Sequence, residues 1–180
     1  MYRITTFVLT LFFLLTGCRG DQSVEKTPLI SSDSLSSIHR EAQDLFNQAR
    51  DLQKKEEFVS AIPFYEKLIA LEPVGEDIKP VAGLMNEGCL QLVYCYIFAG
   101  QRKDGADYFS RLYNERELWF IRNYPRSVEV CLAYSLYEAT RLDEAVVMID
   151  RALARPTGRE KDQLYVDNGI ASVIYNQVGD

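Results

Sequence analysis

Two short amphipathic helices, predicted for residues 42–73, constrain this chain more than any other stretch of its sequence. In the first, Leu45, Ala49 and Leu52 recur at the three- and four-residue spacing that places apolar side chains in one stripe along a helix. The second carries an equivalent stripe and ends before Pro73, because proline cannot continue a helix. Such short helices are stable only when their apolar stripes pack on other helices. The sequence therefore predicts helix pairs that stack on further helices.

The same pattern returns along the chain. Residues 83–117 and 126–156 are each predicted to form a helix, a turn and a second helix, and one more helix is predicted for residues 160–178. In the unit of residues 83–117, the second helix is predicted to continue through the aromatic cluster Leu118-Trp119-Phe120 as far as Asn123. Pro125 is predicted to end it. Turns are predicted at Glu56, Gly100, Thr140 and Gly179, which are 44, 40 and 39 residues apart.

This pattern resembles the tetratricopeptide repeat, whose second helix carries the motif A-x3-F and whose end is marked by proline. Ala61 and Tyr65 occupy the two motif positions in the first unit, and Pro73 closes it. In the second unit Gly105 replaces the usual alanine and is followed by Phe109. A glycine there allows close contact between helices, although it lowers helix propensity by up to ~1 kcal/mol.

The resemblance implies an all-α fold, namely a right-handed superhelix of stacked helix-turn-helix hairpins over residues 38–180. About three and a half units fit into this range, and the last is incomplete because the sequence stops at Gly179-Asp180, where a hairpin normally turns. A stack of repeats usually ends in a helix with a polar outer face. We therefore expect the sequence to be the N-terminal part of a longer chain; a last helix that caps the stack is the alternative.

Residues 1–17 have the plan of a secretory signal peptide, with Arg3 ahead of an apolar run too short to span a bilayer. Residues 15–18, LTGC, resemble a bacterial lipobox, which implies that Cys18 receives a lipid and becomes the first residue of the mature protein. An ordinary signal peptide or an N-terminal membrane anchor is the alternative. Residues 18–37 are polar and rich in serine, which predicts a flexible tether. We therefore expect the protein in the cell envelope, lipid-anchored to a bacterial membrane and facing the periplasm or the cell surface.

The sequence suggests no catalytic site, and we expect no enzyme activity, metal, cofactor or small-molecule substrate. Its one histidine, His39, is expected at the surface beside the tether. Cys89, Cys95 and Cys131 lack zinc-site spacing and are expected to be small buried apolar residues, with a Cys89–Cys131 bridge as the alternative. The net charge of −6 and the lack of any basic run longer than two residues disfavour nucleic acid as a partner.

In the tetratricopeptide family the first helix of each hairpin lines the inner groove of the superhelix. The resemblance therefore implies that groove residues lie on the first helices, off their packing stripes. These residues are Phe46, Arg50 and Lys54 in the first unit, Leu90, Tyr94, Ile97 and Phe98 in the second, Tyr134, Tyr137 and Glu138 in the third, and Val173 and Asn176 in the last helix. Their aromatic and polar mixture suits an extended or helical peptide. Burial of these side chains against longer helices is the alternative.

The function expected from these features is that of a scaffold or adaptor lipoprotein, anchored to a membrane, facing the periplasm and binding a protein or peptide in its concave groove. The alternative is the extracytoplasmic repeat segment of a truncated sensor histidine kinase or transcriptional regulator. A glycan- or peptidoglycan-active enzyme would need paired carboxylates in a cleft, and no such pair stands out in the sequence.

Overall fold

The computed structural model describes residues 36–115, 117–155 and 161–178, with side chains for residues 168–177 of the last helix. The chain divides into two compact units, Met1–Ser34 and Leu35–Asp180, and the described residues belong to the second. The predicted signal peptide, the lipid site at Cys18, the tether as far as residue 35 and the turn at Gly179 therefore lie outside the described residues.

Eight α-helices lie in the described ranges: α1 (Ser37–Lys54), α2 (Phe58–Ile69), α3 (Ile78–Phe98), α4 (Arg102–Asn114), α5 (Trp119–Asn123), α6 (Pro125–Glu138), α7 (Leu142–Ala154) and α8 (Lys161–Val178). A 3-10 turn, Gly75–Asp77, precedes α3. These ranges contain no strand, so the all-α prediction is confirmed for them.

The helices begin and continue as their residue types predict. Ser36 caps α1, because its Oγ accepts a hydrogen bond from the backbone N–H of His39 over 3.2 Å. α6 begins at Pro125, a position where the missing N–H of proline would have no helical partner in any case. Pro63 lies inside α2, and the helix runs through it without a break.

The three predicted turns that fall among the described residues share one backbone geometry. Glu56, Gly100 and Thr140 have the left-handed φ values 61°, 73° and 64°. In each turn the N–H of the following residue donates to the carbonyl oxygen five residues earlier, over 3.0, 2.8 and 2.9 Å respectively. This is the Schellman motif, which satisfies the free carbonyl groups at a helix end. The prediction of these turns is confirmed.

The helices contact their neighbours in a regular order. α1 packs on α2 and α3, α3 packs on α4 and α6, and α6 packs on α7 and α8. The second helices α2, α4 and α7 contact in turn α3, α6 and α8. The motif positions of the second helices all lie in the core: Ala61 and Tyr65, Gly105 and Phe109, and Ala145 and Ile149.

Two predicted helix boundaries are wrong. The helix predicted to continue as far as Asn123 ends at Asn114, and α5 begins separately at Trp119. Leu118 between them is extended, with φ −61° and ψ 133°. This break lets the aromatic cluster turn inward, so that Phe120 is fully buried and stacks on Tyr124 at 5.7 Å. The cluster therefore packs inside the fold on a short separate helix that the sequence did not predict.

The second wrong boundary is the start of α3. The sequence predicts this helix only within residues 83–117, but the helix begins at Ile78. Pro80 lies in its first turn, where proline is tolerated, and Val81 and Met85 continue into the core. Among the described residues, the segment Gly75–Phe98 alone is long and apolar enough to cross a membrane, yet more than half of it is buried inside this fold.

Candidate functional site

The surface that the resemblance assigns to a partner lies on α1, α3 and α6. We call its exposed and half-buried side chains the first-helix surface: Arg50, Gln53, Glu87, Gln91, Tyr137 and Glu138. The surface forms a strip across the three helices. Polar pairs join α1 to α3, and the mostly buried rings of Tyr94 and Tyr134 join α3 to Tyr137 on α6.

The polar part of the strip is built from paired side chains. Arg50 Nη1 lies 3.6 Å from Glu87 Oε1, and each of these two side chains is about half exposed. Gln53 Nε2 donates to Gln91 Oε1 over 3.2 Å, and the hydroxyl of Tyr65 donates to Gln53 Oε1 over 2.5 Å. Sequence reasoning selected only Arg50 from this group. The helical spacing from Arg50 to Gln53, and from Glu87 to Gln91, is the signal that could have found the others.

The aromatic part of the strip is mostly buried. The rings of Tyr94 and Tyr134 meet edge to face at 6.1 Å, and Tyr134 stacks on Tyr137 at 6.3 Å. Tyr94 is 9% exposed and Tyr134 is 6% exposed, whereas Tyr137 is half-buried. Burial raises the pKa of Tyr94 and of Tyr134, and the nearby Glu138 raises both further. These phenols therefore stay protonated at neutral pH.

Two more of the predicted groove residues lie in the core. Phe46 meets Tyr65 of α2 edge to face at 6.1 Å, and the guanidinium of Arg50 lies 5.7 Å from the centre of the Phe46 ring. Ile97 is buried and Leu90 is half-buried against the core. These apolar side chains offer little surface to a partner.

The remaining predicted residues lie nearer to solvent. Lys54 Nζ lies 2.8 Å from Asp51 Oδ1 on the same helix. Phe98 is 42% exposed and stacks on Phe58 at 5.2 Å. Arg102 Nε donates to Glu138 Oε2 over 3.1 Å. On α8, Val173 is half-buried and Asn176 is exposed.

The three cysteines of the described residues are buried, as expected, and no disulfide joins any two of them. Burial raises the pKa of Cys95 to about 12, so its thiol stays protonated at neutral pH and is a poor nucleophile. The described side chains include no group of three His, Cys, Asp or Glu residues that could hold a metal ion. His39 is half-buried, slightly less open than expected.

A buried ion pair was missed by sequence reasoning. Glu129 of α6 has no exposed surface, and the guanidinium of Arg155 binds both of its oxygens, with Nε 2.6 Å from Oε2 and Nη2 2.8 Å from Oε1. The hydroxyl of Tyr113 donates to Glu129 Oε1 over 3.4 Å and accepts from Arg151 Nη1 over 2.5 Å. The available signal was a lone glutamate between Val128 and Val130 in an apolar run.

Two open clefts lie between successive second helices. The larger, about 480 Å³, separates α4 from α7 above α6. The smaller, about 270 Å³, separates α2 from α4. At the smaller cleft Glu66 Oε1 accepts a hydrogen bond from the hydroxyl of Tyr96 over 2.8 Å, which ties α2 to α3.

Comparison of the chain with protein-family models, with curated proteins and with solved structures found no match.

We expect the free energy of unfolding to fall as the pH rises above 10. Burial raises the pKa of Tyr65, Tyr108 and Tyr134 above the ordinary value of 10 in the folded chain. Their contribution to stability is complete below pH 10 and is lost as the pH rises towards the folded values, because the unfolded chain releases these protons first. Urea unfolding followed by circular dichroism between pH 8 and pH 11 measures the effect. In Tyr108→Phe the pH dependence should be weaker, and equal stability at pH 9 and pH 11 would contradict the assignment.

Proposed function

We propose that this chain is a tetratricopeptide-like adaptor that binds a protein or peptide segment along its first-helix surface. We also propose that a lipid on Cys18 anchors it to a bacterial membrane, facing the periplasm or the cell surface. The family resemblance of residues 42–73 and the lipobox-like residues 15–18 are the sequence features behind the two parts of this proposal.

The proposed architecture is a right-handed superhelix of stacked hairpins. Two observations support it. The three described turns share one geometry. Each first helix also contacts the first helix of the next pair, from α1 to α3, α6 and α8. Repeated hairpins related by a constant rotation generate such a superhelix, and its first helices then form one continuous surface.

The observation that carries the binding proposal is the paired amides between α1 and α3. Gln53 and Gln91 are half-buried and hold each other through one hydrogen bond. A carboxamide has two donor hydrogens and an oxygen acceptor, so the pair can also bind N–H and C=O groups of an extended peptide backbone. Arg50 and Glu87 flank the amides with one charge of each sign, and Tyr137 adds an aromatic face farther along the strip.

Site-specific photocrosslinking in the intact, exported protein tests this proposal. A benzophenone side chain is introduced at Glu87 or at Tyr137, and as a matched control at Lys67, an exposed residue of α2. We expect one discrete protein or peptide adduct from the first two positions and none from Lys67. The double change Arg50→Ala with Gln91→Ala should weaken binding of the identified partner about tenfold.

Either of two results would contradict the adaptor proposal: adducts of equal yield from Lys67, or no adduct from the first-helix surface. The anchor is tested in the same cells with a clickable palmitate analogue. Label should enter the wild-type protein and be absent from Cys18→Ala. Label that persists in that variant would overturn the lipid site alone and leave the binding proposal standing.

A further inference from the structure

The cleft between α4 and α7 is an apolar slot with polar rims. Leu132 and Leu136 of α6 form its floor, and Val147 and Met148 of α7 form one wall. Val147 is 53% exposed, so its apolar side chain is open to the slot. We call this cleft the α4–α7 slot. It lies on the second helices and shares none of the residues of the first-helix surface.

Both ends of the slot are tied across the two helices. At one end Arg141 Nη1 lies 3.6 Å from Asp107 Oδ1 of α4. At the other end Arg151 Nη1 donates to the hydroxyl of Tyr113 over 2.5 Å, and its guanidinium lies 5.9 Å from the centre of that ring. These two contacts bridge α4 and α7 on either side of the slot.

The rim of the slot near Arg141 is acidic. Asp107, Asp143 and Glu144 bring three negative charges against the single positive charge of Arg141, a local balance of 1 − 3 = −2. The hydrogen bond from Arg141 lowers the pKa of Glu144, so that carboxylate keeps its charge at neutral pH. An occupant that fills the slot must therefore bring positive charge to this end.

We propose that the α4–α7 slot is a second docking surface, which takes a peptide segment with two neighbouring apolar side chains followed by lysine or arginine. The apolar side chains lie on Leu132, Leu136 and Val147, and the basic side chain reaches Asp143 and Glu144. The slot volume of about 480 Å³ is within the range of sites that enclose a few large side chains.

Charge selects this occupant over the others that an apolar slot accepts. A second copy of this chain has a net charge of −6 and would bring like charge to the acidic rim. An anionic membrane surface is repelled for the same reason. A small apolar molecule would fill the floor and leave the excess negative charge of the rim without a partner.

The test uses peptides of defined chemistry. Random twelve-residue peptides displayed on phage are selected on the wild-type protein, and the enriched sequence is synthesised and its affinity measured by fluorescence anisotropy. We expect a consensus of two apolar residues next to Lys or Arg. Val147→Arg should weaken binding at least tenfold, because it places a large positive charge inside the slot. Val59→Arg is the matched control on α2, where Val59 is 57% exposed, and it should leave the affinity unchanged.

A second variant, Asp143→Asn, removes one negative charge from the rim without filling the slot. It should lower the affinity for the peptide about threefold at low salt and less at high salt. Circular dichroism of all variants checks the fold. The proposal is overturned by an acidic or random consensus, or by equal binding to Val147→Arg. It is also overturned if that variant abolishes self-association or the binding of phosphatidylglycerol vesicles, since the slot then belongs to a second copy or to lipid. None of these outcomes bears on the first-helix surface, which is tested separately by crosslinking.

Discussion

Replacing Arg155 by methionine should lower the free energy of unfolding by about 3 kcal/mol. Arg155 binds both oxygens of Glu129, a carboxylate with no exposed surface. Without this guanidinium the carboxylate keeps the longer bond from Tyr113, and it must either stay charged in a buried site or take up a proton. Both outcomes destabilise the folded chain. Urea unfolding at neutral pH, followed by circular dichroism, measures the loss.

The control for this experiment is Arg141→Met, which removes an arginine whose ion pairs with Asp107 and Glu144 are open to water. Exposed ion pairs are screened by water, so Arg141→Met should lower the free energy of unfolding far less than Arg155→Met. Glu129→Gln should also cost less than Arg155→Met, because the Arg155 side chain is 40% exposed and can turn to solvent. Adding Glu129→Gln to Arg155→Met should restore part of the lost stability. If Arg155→Met and Arg141→Met proved equally mild, Glu129 would not be the buried charge described here.

Replacing Gly105 by alanine should lower the free energy of unfolding by about 2 kcal/mol, although alanine is the better helix former. An added Cβ would lie 2.8 Å from Cβ and 2.9 Å from Cγ of Tyr96. Tyr96 cannot easily move away, because these atoms are next to the α3 backbone and its hydroxyl is bound to Glu66. Overpacking of this kind costs up to ~3 kcal/mol, and the better helix propensity of alanine returns only about 1 kcal/mol.

Gly83→Ala is the matched control, since Gly83 is also helical and no described atom lies within 4 Å of an added Cβ there. This change should raise stability by up to ~1 kcal/mol. The effect of Gly88→Ala on stability should lie between these two, because the atom nearest to an added Cβ is Cδ2 of Leu68, the end of a flexible side chain. Thermal and urea unfolding measure both changes. If Gly105→Ala and Gly83→Ala changed the stability equally, helix propensity alone would determine the effect, and α4 would not be in close contact with α3 at Tyr96.

Local signals explain what the sequence predicted well. The helices follow from apolar spacing, and the turns at Glu56, Gly100 and Thr140 follow from the polar breaks between apolar stripes. These features depend on residues within about one helical turn of each other. The early start of α3 was missed because Pro80 and Gly75 suggested a linker, although proline in a first turn is compatible with a helix.

Whether a predicted groove residue is exposed depends on contacts between helices, which the spacing along one helix does not show. A stripe analysis assumes that a helix has one buried face, whereas α3 is contacted by α1, α2, α4 and α6 and is buried on all sides over residues 92–97. Tyr94 lies off the apolar stripe and is nevertheless covered. The pair of Glu129 and Arg155 likewise joins residues 26 positions apart, and no local pattern states that they meet.

The order of helix contacts also bears on how the chain reaches its folded state. The most extensive contacts join helices that are adjacent or next but one in sequence, and the contact between α3 and α6 is the main longer-range one among the described helices. A low contact order of this kind is associated with folding in milliseconds or less. The pair α1 and α2 buries Ala49, Ala61 and Tyr65 between neighbouring segments. The first hairpin can therefore begin to form as soon as its own residues have left the ribosome or, in an exported protein, have crossed the membrane, before α6 follows.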